Sequence, residues 1–310
     1  MFVENLYRDE IRSGFVVKSD AKKVWSRYLE IWSALDKLCR KHGITYWAGD
    51  GTLLGAIRHG GFIPWREEFS LWMFRPDYKR FLSVLDELPE PFAVNHAGFT
   101  STKIAHTHTT LIDFATFDAN KPSGLTIEID ALDIARDGTR ESFLAFNALN
   151  ELYAAAVNFA SIERHMRGGG MTVNDSDVLA KISAASEADK LQTLQLYAEA
   201  LFGQSSRVAK LDEAINNVAQ PLHKNWFRET IYLPFETVTM PAPVDGEKIL
   251  ATRYGDWKTF GQDDIKLAGD LYSAEIPCEE ILRIIERHGG LEKTLRDGYL
   301  IQQYNFDSVT

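Results

Sequence analysis

The segment Gly51-Thr52-Leu-Leu-Gly-Ala-Ile-Arg58-His59 opens on a glycine, just after a short run, Ile44 to Ala48, that reads as a strand. A helix begun this way leaves its first backbone N–H groups unpaired. Together with the positive end of the helix dipole they attract an anion. Thr52 adds a hydroxyl at that end, and Arg58 and His59 offer donors for other phosphate oxygens near the far end. On the next predicted strand, Glu68 to Phe74, Glu68 and Ser70 stand two residues apart and share a face. Paired acids at that spacing hold Mg²⁺ in many phosphoryl-transfer enzymes; here one acid and one hydroxyl make half of such a clamp. The plainer reading is a simple helix start at Gly51 and a solvated turn at Glu67-Glu68. His106 and His108 have the i, i+2 spacing of a strand metal site, but with no third ligand in view a polar strand face is the simpler account.

The elements that must position these residues are legible in part. Val24, Trp25, Tyr28, Trp32, Leu35, Leu38 and Cys39 recur at helical spacing from Asp20 to His42, and Gly43 supplies the stop. Gly60, Gly61 and Pro64 turn the chain toward the Glu68 strand, and Pro76 opens a further helix. Three strands are expected near Thr102 to His106, Thr110 to Phe117 and Thr126 to Ile134, then helices over Glu141 to Arg167 and Ser186 to Phe202. Gly168 to Asp177 reads as a flexible connection, and Pro221 to Pro243 as an extended lid or edge. Further helices are expected near Gly246 and from Cys278 to His288. Interleaved elements at the start and helices in the middle predict an α+β class.

Composition narrows the function. The chain of 310 residues carries 44 acidic against 34 basic side chains, a formal charge of −10, which argues against tracking a nucleic-acid backbone. Cys39 and Cys278 are far apart and have no metal-ligand spacing, as in a reducing compartment. The charged first residues show no apolar signal core, and no run reaches the length of a membrane span, so a cytoplasmic protein is expected.

The run G-T-L-L-G-A-I-R-H-x-G-F-I-P-W, from Gly51 to Trp65, is similar to the signature of the LicD family, which includes bacterial phosphocholine transferases and fukutin-related ribitol-phosphate transferases. Weaker likeness continues in Ile127-Glu-Ile-Asp-Ala-Leu-Asp133, Leu233-Pro-Phe-Glu236 and Tyr254-Gly-Asp-Trp257, so that residues 33 to 260 are covered. The resemblance implies a nucleotidyltransferase-like core with a small mixed sheet. The expected divisions are a core over 1–138, a helical insertion over 139–215, and a C-terminal part over 216–310 that completes the core. It also implies transfer of a phospho-alcohol from a CDP-activated donor to a glycan hydroxyl, with CMP leaving. In that reading Gly51, Thr52, Arg58, His59 and Lys103 hold nucleotide and phosphate, and Glu68 and Glu128 hold Mg²⁺. Asp133 or Glu67 orients or deprotonates the acceptor.

The family's W-D-D-D-I-D is replaced here by Trp65-Arg66-Glu67-Glu68-Phe69-Ser70. A cation stands for the first acid and a hydroxyl for the last, which weakens the expected Mg²⁺ site and admits an alternative, a pseudoenzyme that binds a nucleotide or sugar without turnover. Glu128 and Asp130 share one strand face, so periodicity leaves either free to reach a metal, whereas Asp133 has the other parity unless the strand ends or bulges. The aromatic residues Trp226, Phe227, Tyr232, Phe235, Tyr254 and Trp257 offer a cage for a quaternary ammonium, with core packing the plainer account.

Overall fold

Val24, Tyr28, Ile31, Leu35 and Leu38 all turn inward, and their spacing makes Ser19–His42 a helix with one buried stripe. Gly43 ends it in the left-handed region at φ 61°, where a glycine carries no Cβ penalty, and the Ile44 N–H closes on the Cys39 carbonyl at 2.9 Å. The structure, a computed structural model, describes residues 8–66, 68–112, 124–157, 180–182, 184–259 and 271–297. Among these the chain runs β1 (Glu10–Arg12), β2 (Phe15–Val17), α1 (Ser19–His42), β3 (Trp47–Ala48), α2 (Asp50–His59), β4 (Ser70–Phe74) and α3 (Arg75–Leu82). It continues with β5 (Phe92–Ala97), β6 (Ser101–His106), β7 (Thr110–Ile112), β8 (Thr126–Ala135), α4 (Arg140–Val157), α5 (Glu187–Leu201), β9 (Arg207–Ala209) and α6 (Leu211–Asn216). Then come β10 (Leu222–His223), β11 (Thr230–Phe235), β12 (Val238–Pro243), α7 (Gly246–Tyr254), β13 (Leu271–Ser273), α8 (Cys278–His288) and α9 (Leu291–Arg296).

The fold is α+β, and its spine is β8. One edge of β8 pairs in parallel with β4, Ser70 opposite Glu128 and Trp72 opposite Asp130. Its other edge is shared: β6 pairs antiparallel along the first half, then β9 takes over with Asp133 opposite Ala209. β3 extends the sheet beyond β4, while β5 and β10 extend the two arms, giving seven strands. β4 and β8 carry almost unbroken buried runs, as strands covered on both faces do.

Ile127, Ile129 and Ala131 belong to the main core, with α1 and the aromatic residues Phe62, Phe69 and Phe235. A second cluster joins Ile134 and Phe99 to α4 and α5, and a third joins Ile112 to α8. The stretch expected as a helical insertion therefore includes a core strand, β9, because its register with β8 continues the central sheet. The expected strand at Ile44 is reduced to Trp47–Ala48, and the Glu68 strand begins at Ser70. Pro221 to Pro243, expected as an extended lid or edge, contains an extended hairpin, β11–β12, whose Phe235, Met240 and Ala242 are buried. The flexible connection expected at 168–177 and the strand expected at 113–117 lie outside the described residues, as does Glu67. No helix among the described residues is long and apolar enough to cross a membrane.

Candidate functional site

Helix α2 starts one residue before the expected glycine: Gly49 is the cap and Asp50 the first helical residue, at φ 33°. That left-handed setting is costly for a residue with a side chain and is found where the surroundings over-determine it. Here two cations do so. The Asp50 carboxylate accepts from Arg253 at 2.5 Å and from Lys210 at 3.0 Å.

Gly51 packs against the Glu68 side chain, for a Cβ there would stand 3.1 Å from Oε2 of that carboxylate. Gly51, Thr52, Arg66 and Glu68 line one small depression, closed by Phe62, Ile63 and Phe235. Thr52 is committed to the frame: its buried hydroxyl oxygen accepts the Ser70 N–H at 2.9 Å and clamps α2 onto β4. The Ser70 hydroxyl turns to the Gly49 carbonyl at 3.3 Å.

Glu128 stands directly across from Ser70 on β8 and across from Lys103 on β6, with the Lys103 ammonium 3.9 Å away. Asp130, one step along the same face, is buried, and burial first, then Glu128 and Asp50, push its carboxyl well above the usual range. Lys210 lies 3.7 Å from it. Burial opposes the charge of Asp50 most, yet Arg253 and Lys210 outweigh it and hold that carboxyl below the usual range. Glu213 completes the group, 3.1 Å from Lys210 and 2.9 Å from Arg253. Asp50 and Gly51 are neighbours at the start of α2, so the Asp50 group and the Glu68 that packs on Gly51 flank the same helix start, and the Tyr254 phenol, raised by burial and then by Asp50, feels both.

Several sequence-predicted residues are elsewhere. Asp133 is not at the cleft: β8 runs unbroken to Ala135, so Asp133 keeps the opposite parity and pairs with Arg75 in the core. Arg58 donates to the Trp257 carbonyl at 3.0 Å and to His59 at 2.9 Å, tying α2 to the segment after α7. His59 contacts Ser13 at 3.2 Å, and burial, followed by Arg58 and Arg12, lowers its pKa to about 4. His106 is a buried residue bonded to Glu30 at 3.2 Å, not part of a polar strand face. Phe227 and Phe235 pack in the core, against Trp47 at 5.0 Å and Phe62 at 4.9 Å, whereas Tyr232 and Tyr254 are exposed, so the six do not gather into one cage.

The L-P-F-E segment also acquires a physical role. Glu236 accepts from Arg12 and from the Phe62 N–H at 2.9 Å, while its own N–H donates to the Gly60 carbonyl at 2.8 Å. A Cβ at Gly61 would fall 2.0 Å from the Glu236 carboxylate, so only glycine leaves room for this lock.

The residues the resemblance assigns to Mg²⁺ do not form a shell for it. Arg66 holds Glu68 at 2.7 Å, Lys103 faces Glu128, and Ser70 brings a hydroxyl. Among the described residues no three His, Cys, Asp or Glu side chains converge on a metal position. Lys210, Glu213 and Arg253 escaped the sequence reading because they lie 160 or more residues from Asp50, where no local spacing signals them.

The LicD/FKTN/FKRP nucleotidyltransferase domain family matches residues 43–140. The lipopolysaccharide cholinephosphotransferase LicD of Haemophilus influenzae is 46% identical over 56 residues, which are 18% of this chain and 21% of that protein. The uncharacterized protein RT0683 of Rickettsia typhi is 33% identical over 69 residues, 22% of each chain. The match thus spans about a fifth of the length of each relative. Over residues 43–140, the stretch that carries Gly51, Glu68, Ser70 and Glu128, this chain is similar to the LicD/FKTN/FKRP nucleotidyltransferase domain family.

Proposed function

We propose that the chain is a transferase of the LicD kind, which moves a phospho-alcohol such as phosphocholine from a CDP-activated donor to a glycan hydroxyl on the cytoplasmic side of the membrane. The observation that carries this reading is the union of the family match over 43–140 with a cleft at the same residues, where Gly51 borders Glu68 and Glu128 faces Ser70. In this reading the donor's diphosphate lies over the start of α2, with Arg66 and Lys103 answering its charge. The acceptor oxygen attacks the phosphorus that bears the alcohol, the P–O bond to CMP breaks, and the acceptor's proton passes to a carboxylate. Of the two cleft glutamates Glu128 is the less engaged and takes this role, because Arg66 holds Glu68 at 2.7 Å while Lys103 stands 3.9 Å from Glu128.

One observation favours a second reading, ligand binding without turnover: Arg66 and Ser70 stand where the family carries acids, and Arg66 pairs with the adjacent Glu68. Calorimetry with CDP-choline, CDP-ribitol and CDP-glycerol, run beside chromatography of released CMP with a glycan acceptor, separates the two. CMP release with transfer supports the transferase; binding with no release supports the second reading. Absence of both binding and release overturns the two together.

A further inference from the structure

Lys210 follows β9 directly. Ala209 pairs with Asp133, so the next residue turns toward the face that carries Asp130. Its ammonium there meets Asp50 at 3.0 Å, Glu213 at 3.1 Å and Asp130 at 3.7 Å. These acids come from three separate elements: the strained start of α2, the spine strand β8, and α6. Carboxylates gathered from separate elements around one point are what a divalent cation requires. Here a side chain supplies the charge, and at ammonium rather than metal distances.

The surroundings are arranged for a permanent cation. Arg253 spans Asp50 and Glu213 from the far side and rests over the Trp72 ring at 5.7 Å, so the acids are held in place whatever occupies the cleft. With every acid ionised, three carboxylates against two cations leave a formal charge of −1, which the proton favoured by the buried Asp130 offsets. Taking away Lys210 lowers the charge of the group by one more unit, which water at this depth solvates poorly. Lys210 keeps 20% of its side-chain exposure, so the group is not sealed from solvent.

We propose that Lys210 is the built-in cation of this cleft, standing among its acids in place of a divalent ion, so that a phosphorylated ligand binds independently of Mg²⁺. The ligand half of this inference rests on the reading that the cleft takes a CDP-activated alcohol; the cation half does not. The experiment separates them.

Loss of the Mn²⁺ paramagnetic resonance signal reports divalent binding with no nucleotide present. The wild-type chain leaves the signal unchanged at millimolar Mn²⁺. Lys210→Met, which keeps the stem and removes the charge, gains Mn²⁺ affinity by at least about ten-fold, since affinity follows the count of uncompensated carboxylates. Lys210→Met with Asp130→Asn loses that gain, and Lys210→Arg never acquires it. Should Lys210→Met unfold in a chelator, Mg²⁺ restores its circular dichroism. Calorimetry of wild type with CDP-choline gives the same affinity in Mg²⁺ and in chelator. Mn²⁺ binding by the wild type overturns the inference, as does a Lys210→Met variant that is folded yet gains nothing or unfolded and not rescued. A CDP-choline affinity that requires Mg²⁺ overturns it too. No CDP-alcohol binding under any condition, with the Mn²⁺ results as expected, sinks only the ligand reading.

Discussion

Arg75 and Asp133 form a two-pronged ion pair in which neither side chain keeps any solvent exposure. Arg75 also donates to the Phe99 carbonyl at 2.9 Å and to the Gln195 side chain at 2.8 Å, so β8, α3 and α5 meet on one guanidinium. Removing one member of such a pair leaves a buried charge alone. Asp133→Ala is therefore expected to cost about 3–5 kcal/mol in urea denaturation, while Arg75→Met combined with Asp133→Leu recovers most of it. A loss below 1 kcal/mol, on the order of an exposed pair, would contradict the structural role.

The clamp between α2 and β4 makes a second prediction. Thr52→Val preserves shape but leaves the buried Ser70 N–H with no acceptor, which costs about 1–3 kcal/mol by thermal melting. Thr52→Ser keeps the acceptor oxygen and should lose much less. Equal losses in the two variants would mean that the methyl group, and not the hydroxyl, is what matters.

Gly51 is expected to act through Glu68. A methyl at Gly51 presses on the Glu68 carboxylate, whose flexible stem yields, so Gly51→Ala keeps its fold. Its affinity for CDP-choline is expected to fall about ten-fold, roughly 1.4 kcal/mol. In a Glu68→Ala background the same substitution should have little further effect, because the contact is gone. Additive losses in calorimetry would separate Gly51 from Glu68.

His59 is neutral at pH 7, since burial and then the Arg58 and Arg12 charges hold its pKa near 4. The folded value lies below the unfolded one, so the native state binds fewer protons between the two. Stability is then lost as pH falls from about 6.5 toward 4. Proton NMR should place the His59 titration near 4, and His59→Gln should leave nucleotide affinity unchanged from pH 6 to 8. A titration near 6.5 would return the ring to the phosphate-binding set.

Asp130 has the opposite sign. Burial, then Glu128 and Asp50, raise its carboxyl, so the native state holds a proton that the unfolded chain has already released. Stability from this group falls as pH rises above the ordinary carboxylate range and levels off once native Asp130 has ionised. Asp130→Asn should remove that decline, stabilising the protein at neutral pH relative to wild type. Asp50, whose carboxyl is lowered, contributes the reverse slope and serves as the internal contrast.

Local pattern carried much of this architecture. The stripe from Val24 to Cys39 and the stop at Gly43 define α1 to within a residue, and Cys278–His288 forms the helix expected there. Strand parity alone separated Asp133 from Glu128 and Asp130, and the unbroken β8 obeys it, whereas the family motif had drawn Asp133 toward the site. What escaped was nonlocal. Lys210 and Arg253 reach Asp50 across 160 and 203 residues, and β9 is a three-residue strand whose role depends on where β6 stops pairing. The hairpin β1–β2 and strand β5 were likewise missed, being too short or too exposed for alternation to stand out.

The Glu236 lock bears on the order in which the chain is made. Arg12, Gly60 and Phe62 leave the ribosome long before residue 236, the carboxylate that holds them together. Lys210 and Arg253, which satisfy the strained Asp50, also arrive late. A nascent chain that has exposed the whole Gly51–Trp65 run thus carries its motif without the frame that shapes it. The cleft matures only after residue 253 has emerged, and until then Asp50 lacks the two cations that hold it.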